Sequence, residues 1–474
     1  MMILLKPLAV AALLPLAFVG CTSTNPSGAF HDVQQDVSAR SGHEVRWPRD
    51  ERQSEEAARA VSELLQTNLT VESAVTIALL NNRALQAEFE NIGVSQAELA
   101  QASRLRNPQF EGFWRAPTHG VNAVNAEYSL AQDFLNLLTL PARKKIASQN
   151  LEATKLRIAD GILTLTYDVR VAFYAVQAGQ QLTNRLGVVL EVNEAAADVA
   201  KRQFDAGNIT DLELLTQQAA YAQARLDYGK ATMQWLADRE KLNRLLSLWG
   251  AQTVWTTASE LSPLPLEEPS LENLEALAVS QRFDLAAART EVLSVQSALK
   301  LKKGVRWIPA VNIGVSAEHD LDHSWVIGPT LALEIPIFDQ GQAELARIAS
   351  EYRRAARKFE SLAINIRSEV RQTRDALLAA RNTAEYYQKL LLPQRQGILR
   401  ETLLQYNAMQ LGSIALLNAK EREALTEREA VEALRDYWVT RAELDRVIGG
   451  RLNAPPKAGE PLPSTHAESH ETKH

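Results

Sequence analysis

Three groups of residues in this sequence have the types and spacing for chemistry. In "HDLDH", His319, Asp320, Asp322 and His323 bring two imidazoles and two carboxylates within one short stretch. In the tail "HAESHETKH", His466, His470 and His474 recur every fourth residue, which is one face of a helix if the tail were helical. Both sets offer donors suited to Zn²⁺ or Cu²⁺. Polar loops and tails also collect His and Asp with no metal involved, and the proline-rich approach "NAPPKAGEPLP" marks this tail as a flexible extension. The third group is a single residue, Cys21, the only cysteine in 474 residues. It cannot form an internal disulfide. A catalytic thiol would be expected inside a folded domain with a His partner, whereas Cys21 ends an apolar run near the N-terminus. No HExxH, phosphate loop or nucleophile–base pair occurs, so the sequence does not read as an enzyme and implies no cofactor.

Around Cys21, a short, weakly basic start (Met1 to Lys6) precedes an apolar run from Pro7 to Gly20. That run has the length of a signal-peptide core and is too short to span a bilayer. Small Gly20 comes before the cysteine and a polar leash, Thr-Ser-Thr-Asn-Pro-Ser-Gly, follows it. Residues 1–20 resemble a bacterial lipoprotein signal, in which Cys21 becomes the new N-terminus and carries lipid on its sulfur. Phe18 departs from the resemblance, standing where Leu is usual. An ordinary cleaved secretory peptide with an incidental cysteine is the alternative. Thr22, rather than Asp, favours the outer over the inner membrane in the familiar sorting rule. A lipid supplies membrane affinity through its buried methylenes.

The length suffices for two or three ordinary domains. Charged residues make up 23% and aromatics 6%. With Ala, Leu, Gln, Glu and Arg recurring throughout, that bias favours long helices. A net charge of −6 with both signs interspersed gives no nucleic-acid footprint. After Cys21 no run approaches the ~20 apolar residues of a membrane-spanning helix, so any crossing must be made by strands.

The chain is duplicated. "LTVESAVTIALLNNRALQAEFENIGVSQAELAQASRLRNPQF" and "SLENLEALAVSQRFDLAAARTEVLSVQSALKLKKGVRWIPAV" both read as a helix pair leading to a proline-marked extended segment; Leu85 matches Leu285 and Pro108 matches Pro309. "RQFDAGNITDLELLTQQ" (202–218) matches "LQYNAMQLGSIALLNAK" (404–420) without a gap, pairing Phe204 with Tyr406, Leu214 with Leu416 and Leu215 with Leu417. A period of about 200 residues is far beyond solenoid repeats. Each unit is expected to run helix, helix, strand, strand, long helix, turn, long helix. The long helices carry a seam in steps of three and four: Leu345, Ile348, Tyr352, Ala355, Phe359, Leu362, Ile366 and Val370, continued by Leu377, Ala380, Ala384 and Tyr387. Ile162, Leu165, Val169, Phe173, Val176, Leu182, Leu186 and Val189 are its counterpart in the first half. Such spacing predicts helices packed side by side as in a coiled coil. Residues 142–206 lack proline and at about 1.5 Å per residue could reach about 95 Å, with glycines 161, 179 and 187 as possible bends. Shorter helices in a compact bundle are the alternative.

Two hairpins are predicted, over 108–134 and 308–338. In "AVNIGVSAEH", Val311, Ile313, Val315 and Ala317 alternate with Asn312, Gly314, Ser316 and Glu318; in "TLALEIPIF", Leu331, Leu333, Ile335 and Ile337 alternate with Ala332, Glu334 and Pro336. Aromatics flank them: Trp307, Trp325 and Phe338, and Phe110, Trp114 and Tyr128 in the first half. Aromatic-capped alternation of this length is the weak signature of an outer-membrane barrel strand; in a soluble sandwich the same pattern would face a core. Open sheet edges are not tolerated in hydrocarbon, so four strands require further copies of the chain to close a barrel.

From about Leu69 to Gly449 the chain resembles the TolC family of outer membrane efflux channels, through the duplication, "LTVESAVTIALLNN", "IPIFDQGQ" and "AGNITDLELL…A". The resemblance implies a mainly α protein with a membrane β-barrel: a homotrimer, four strands per chain in a twelve-stranded barrel, and a long α-helical coiled-coil tunnel across the periplasm. It also implies docking to a periplasmic adaptor (membrane fusion protein) joined to an inner-membrane pump. The chain then divides into a signal peptide (1–20), a leash and equatorial segment (21–68), a first repeat (69–260), a second repeat (261–450) and a tail (451–474). In the family the turns between long helices form the periplasmic tips, where the adaptor docks and the tunnel narrows. Arg202, Gly207 and Asn208 are the candidates at the first tip, Met409 and Gly412 at the second. Gap-free alignment puts Met409 where Gly207 stands, so either the second turn is rebuilt around Gly412 or Met409 tolerates the bend. Asp205, Asp211 and Tyr406 are the candidate gate residues; helix-end charge accounts equally for Asp211. Residues 404–450 resemble a subgroup associated with copper resistance, which bears on substrate alone. A polypeptide secretion duct and a structural periplasmic coiled-coil lipoprotein stay open as alternatives.

Overall fold

A computed structural model describes residues 23–116, 118, 124–335 and 337–452. Cys21 and the tail histidines His466, His470 and His474 lie outside the described residues. The chain divides into two compact units. Among the described residues, one comprises 23–33 with 87–158 and 283–365; the other comprises 34–86, 159–282 and 366–452.

Each repeat has the expected order. After α1 (Ser27–Ser41) and α2 (Glu51–Leu64) come α3 (Val71–Asn81), α4 (Arg83–Ala102), β1 (Gln109–Arg115), β2 (Asn125–Asp133), α5 (Phe134–Asp205) and α6 (Asp211–Leu246). The second repeat follows as α7 (Leu274–Gln281), α8 (Phe283–Val305), β3 (Ala310–His319), β4 (Trp325–Glu334), α9 (Gln342–Tyr386), α10 (Leu392–Asn407) and α11 (Ser413–Val447). No helix among the described residues is long and apolar enough to cross a membrane.

Local chemistry sets the joints. Thr70 caps α3, its hydroxyl accepting from Ser73 N–H in a capping box. Asn82 then breaks the helix in extended geometry. Its side chain donates to the Leu245 carbonyl at 2.8 Å and accepts from Leu85 N–H, clasping the end of α6. Arg282 is the matching break in the second repeat; it donates to the Val447 carbonyl at the end of α11. β2 passes into α5 with no loop, because Asp133 accepts from Asn136 N–H and serves the first turn.

α5 has 72 residues, a length of about 108 Å for a straight helix. It starts eight residues before the proline-free stretch and holds Pro141 inside it. So near a helix start, proline forgoes one hydrogen bond and the rest of the helix survives. Gly179 and Gly187 are contact notches: a Cβ on Gly179 would lie 3.2 Å from Trp235, and one on Gly187 would touch Tyr228, both on α6. Every residue of the predicted seams is buried or half-buried. The second long helix differs, since a π-helical turn (Tyr387–Leu391) separates α9 from α10. Pro393 sits in the first turn of α10, where a missing N–H costs least.

The sheet lies wholly in the first unit. Its four strands are antiparallel in the order β1-β2-β3-β4, and the central β2–β3 pair joins the two repeats, with Leu130 opposite Val315. β4 spans residues 325–334, so Ile335 and Ile337 fall past its end.

Candidate functional site

The first candidate surface is the tip between α5 and α6. At the end of α5 the Asn208 N–H reaches the Gln203 carbonyl at 2.8 Å and the Gly207 N–H reaches Phe204 at 2.9 Å. That bond pair is a Schellman cap, and Gly207 supplies its left-handed residue at φ +74°. Thr210 and Glu213 then form a reciprocal capping box at the start of α6. Two hydrogen bonds from Thr210 hold the Glu213 carboxyl below its ordinary range. The T-x-x-E spacing of Thr210 and Glu213 is the local sequence signal for this box.

The charged candidates at this tip are engaged. Asp205 pairs with Lys201 at 3.2 Å and Arg202 with Asp198 at 2.7 Å, both one helical turn apart. Asp211 occupies the first turn of α6, where a carboxylate meets the positive end of the helix dipole.

The second tip repeats the same cap. Gln410 N–H reaches the Gln405 carbonyl and Met409 N–H reaches the Tyr406 carbonyl, both at 2.9 Å. Met409 holds the left-handed position at φ +58°. Gly412 instead has φ −75° and is the N-cap of α11, with no side chain to bond the helix start. Of the two alternatives, Met409 tolerates the bend and the turn is not rebuilt around Gly412.

The second candidate surface is the sheet. Strand register puts Phe110, Tyr128, Leu130, Val315, Ile327 and Leu331 on one face. Leu130, Val315, Ile327 and Leu331 are all exposed there, so this apolar face is uncovered. The opposite face carries Glu111, Ser129, Asn312, Ser316, Thr330 and Glu334, and directly pairs Glu127 with Glu318. Glu127 is met by Arg115 at 3.6 Å and Glu318 accepts from Asn125 at 2.7 Å. Period-2 alternation marks Glu318 in the sequence; Glu127 follows only from the register. Among the described residues, β1 and β4 each have a strand on one side alone.

The histidine loop does not assemble as a metal site. His319 and His323 have ring centroids 5.7 Å apart, and His319 packs edge-on against Trp325. Asp320 accepts from Leu321 N–H and Asp322 accepts from Ser324 N–H. Both carboxylates therefore close the β3–β4 turn. Among the described residues, no group of three or more His, Cys, Asp or Glu is arranged to hold an ion.

Residues 74–248 match the family model "Outer membrane efflux protein". The fold is that of solved outer-membrane channels. CmeC of Campylobacter jejuni superposes with a TM-score of 0.69 at 15% identity, over 80% of this chain and 85% of that one. CusC gives 0.64 at 17%, over 80% and 92%, and the open state of Neisseria gonorrhoeae MtrE gives 0.63 at 17%, over 80% and 89%. No curated protein sequence matches the chain.

Proposed function

We propose that this chain is a TolC-type outer-membrane efflux channel, not an enzyme, and that it serves as the outer duct of a tripartite efflux system. Three copies close a twelve-stranded barrel, and their helices form the conduit to a periplasmic adaptor and inner-membrane pump. The observation that carries this reading is the sheet: an uncovered apolar face suits lipid, a polar face suits a water-filled lumen, and two open edges need neighbouring strands. Cys21 bears the lipid that fastens each copy to the membrane. The tips, with Arg202, Gly207, Asn208, Met409 and Gly412, are the adaptor-docking surface. Asp205, Asp211 and Tyr406, repeated threefold, ring the entrance and favour cations over anions.

Copper is the proposed cargo, on the resemblance of residues 404–450 alone. Cellular copper and ethidium retention in a deletion strain and its complemented parent separate the possibilities. Raised copper with unchanged ethidium supports a metal duct; raised ethidium with unchanged copper rejects it in favour of drug efflux. The channel itself is tested on purified protein. A heat-modifiable trimer that conducts in a planar bilayer is the expected result, and a soluble monomer would sink the reading.

A further inference from the structure

We propose that the end of the sheet where strands meet helices carries a basic collar, and that this collar binds the phosphates of anionic lipid headgroups in the leaflet on the helix side. This rests on the membrane-barrel reading above. The strands are antiparallel, with Gln109 opposite Ala131, Asp133 opposite Asn312 and Ala310 opposite Glu334. All four links to helices therefore leave the sheet at one end, and both hairpin turns lie at the other.

Charge is divided between those ends. Three of the four links, "SRLRNP" (103–108), "FLNLLTLPARKK" (134–145) and "KLKKGVRWIP" (300–309), hold nine Lys or Arg and no Asp or Glu, in a chain of net charge −6. At the hairpin end, residues 116–124 hold no Lys, Arg, Asp or Glu, and residues 320–324 hold two Asp and no Lys or Arg. Lys144, Lys145, Lys300 and Lys303 are all exposed, and among the described residues none of the four forms an ion pair. Farther along α9 the surface cations are matched: Arg347 pairs with Glu344 and Glu351, and Arg357 with Glu360, at 2.6–2.7 Å. Unmatched cations gathered on one rim attract the phosphates of an anionic membrane surface.

Apolar side chains continue past the strand ends at the same rim. Phe134 and Leu138 follow β2, Trp307 precedes β3, and Ile335 and Phe338 follow β4; all five are exposed, Trp307 at 63% and Phe338 at 92%. The Arg306 guanidinium lies 4.6 Å over the Trp307 ring, an apolar plate with a charged head beside it, as at a membrane–water boundary. The leash that follows Cys21 is held to the helix leading into β1, where Gln96 donates to the Ser23 carbonyl at 2.6 Å. Apolar face, aromatic rim and cations follow one another in the order of acyl tails, interface and headgroup phosphates. A soluble acidic partner would suit the cations but would leave the apolar rim beside them in water.

The test is native mass spectrometry of the purified full chain, titrated separately with phosphatidylglycerol and phosphatidylethanolamine. The trimer is expected to retain phosphatidylglycerol about tenfold better at low salt, and to lose that preference at high salt. A variant combining Lys144→Gln, Lys145→Gln, Lys300→Gln and Lys303→Gln should remain a conducting trimer without the preference, and arginine at the same four positions should keep it. Equal retention of the two lipids by the unaltered trimer would overturn the collar and leave the channel reading standing. So would a glutamine variant with its lipid preference intact and its ion selectivity changed in bilayer recordings, because the four lysines would then face the lumen. A soluble monomer that binds neither lipid would remove both readings.

Discussion

Gly207 and Met409 hold the same left-handed backbone position, 202 residues apart, in two helix caps with the same pair of closing hydrogen bonds. Three residues on, Thr210 caps the next helix at the first tip, and Gly412 stands in its place at the second. The second tip therefore has a side chain where glycine fits best and a glycine where a hydroxyl fits best.

Met409→Gly should accordingly stabilise the second tip by about 1 kcal/mol, since a side chain in the left-handed region is strained. Gly207→Ala should loosen the first tip by a similar amount. Amide exchange at Gln410 and Asn208 reads both changes locally, as slowing in the first variant and acceleration in the second.

Gly412→Thr should stabilise the start of α11, because a Cβ there meets no atom within 4 Å and the hydroxyl can accept from the helix. Thr210→Ala should cost the start of α6 about 1 kcal/mol. Exchange rates of the first-turn amides of α11 and α6 measure the gain and the loss.

Glu72 gives the protein a pH-dependent element. A hydrogen bond from His43 foremost, then the charges of Arg170 and Arg451, holds its carboxyl down at about 2. A carboxyl whose pKa is lower in the folded state adds stability above its unfolded pKa, here about 4.5, and loses that addition as pH falls toward 2. Glu72→Gln should lower the melting temperature at pH 7 and much less at pH 3. Equal differences at both pH values would contradict this.

Glu268 ties the segment leading into α7 to two helices. It accepts from Arg381 of α9 and Arg441 of α11, each at 2.8 Å, and from the Tyr437 hydroxyl. Burial and the Glu268 hydrogen bond push the Tyr437 phenol up, keeping it protonated as the donor. Glu268→Ala leaves two arginines without their shared carboxylate and should cost about 3 kcal/mol. Urea unfolding followed by far-UV circular dichroism gives the value.

On the sheet, Leu331→Arg should reduce insertion into lipid vesicles, at about 2–4 kcal/mol for a charge on the lipid face. Thr330→Arg, one residue away on the polar face, should insert normally and alter ion selectivity in bilayer recordings. Equal insertion defects in the two variants would contradict the facing assigned to β4.

The sequence by itself determined the periodic features. The Ile162–Val189 and Leu345–Tyr387 seams, the alternation through Val311–Glu318 and the repeat match at 202–218 with 404–420 are all patterns of neighbouring residues. Burying an apolar stripe at helical or strand spacing needs no knowledge of what covers it, so these were legible. The tertiary structure alone decided the rest. It placed the α5 start at Phe134 despite Pro141, because Asp133 caps the helix directly from the strand. It turned Asp320 and Asp322 to backbone N–H groups of their own turn, away from the histidines. It set Glu127 against Glu318, a pairing fixed by register between strands almost 200 residues apart. And it put the left-handed bend at Met409 rather than Gly412, since the position of that bend follows from where α10 must reverse into α11. A local preference of about 1 kcal/mol yields to the packing of two long helices.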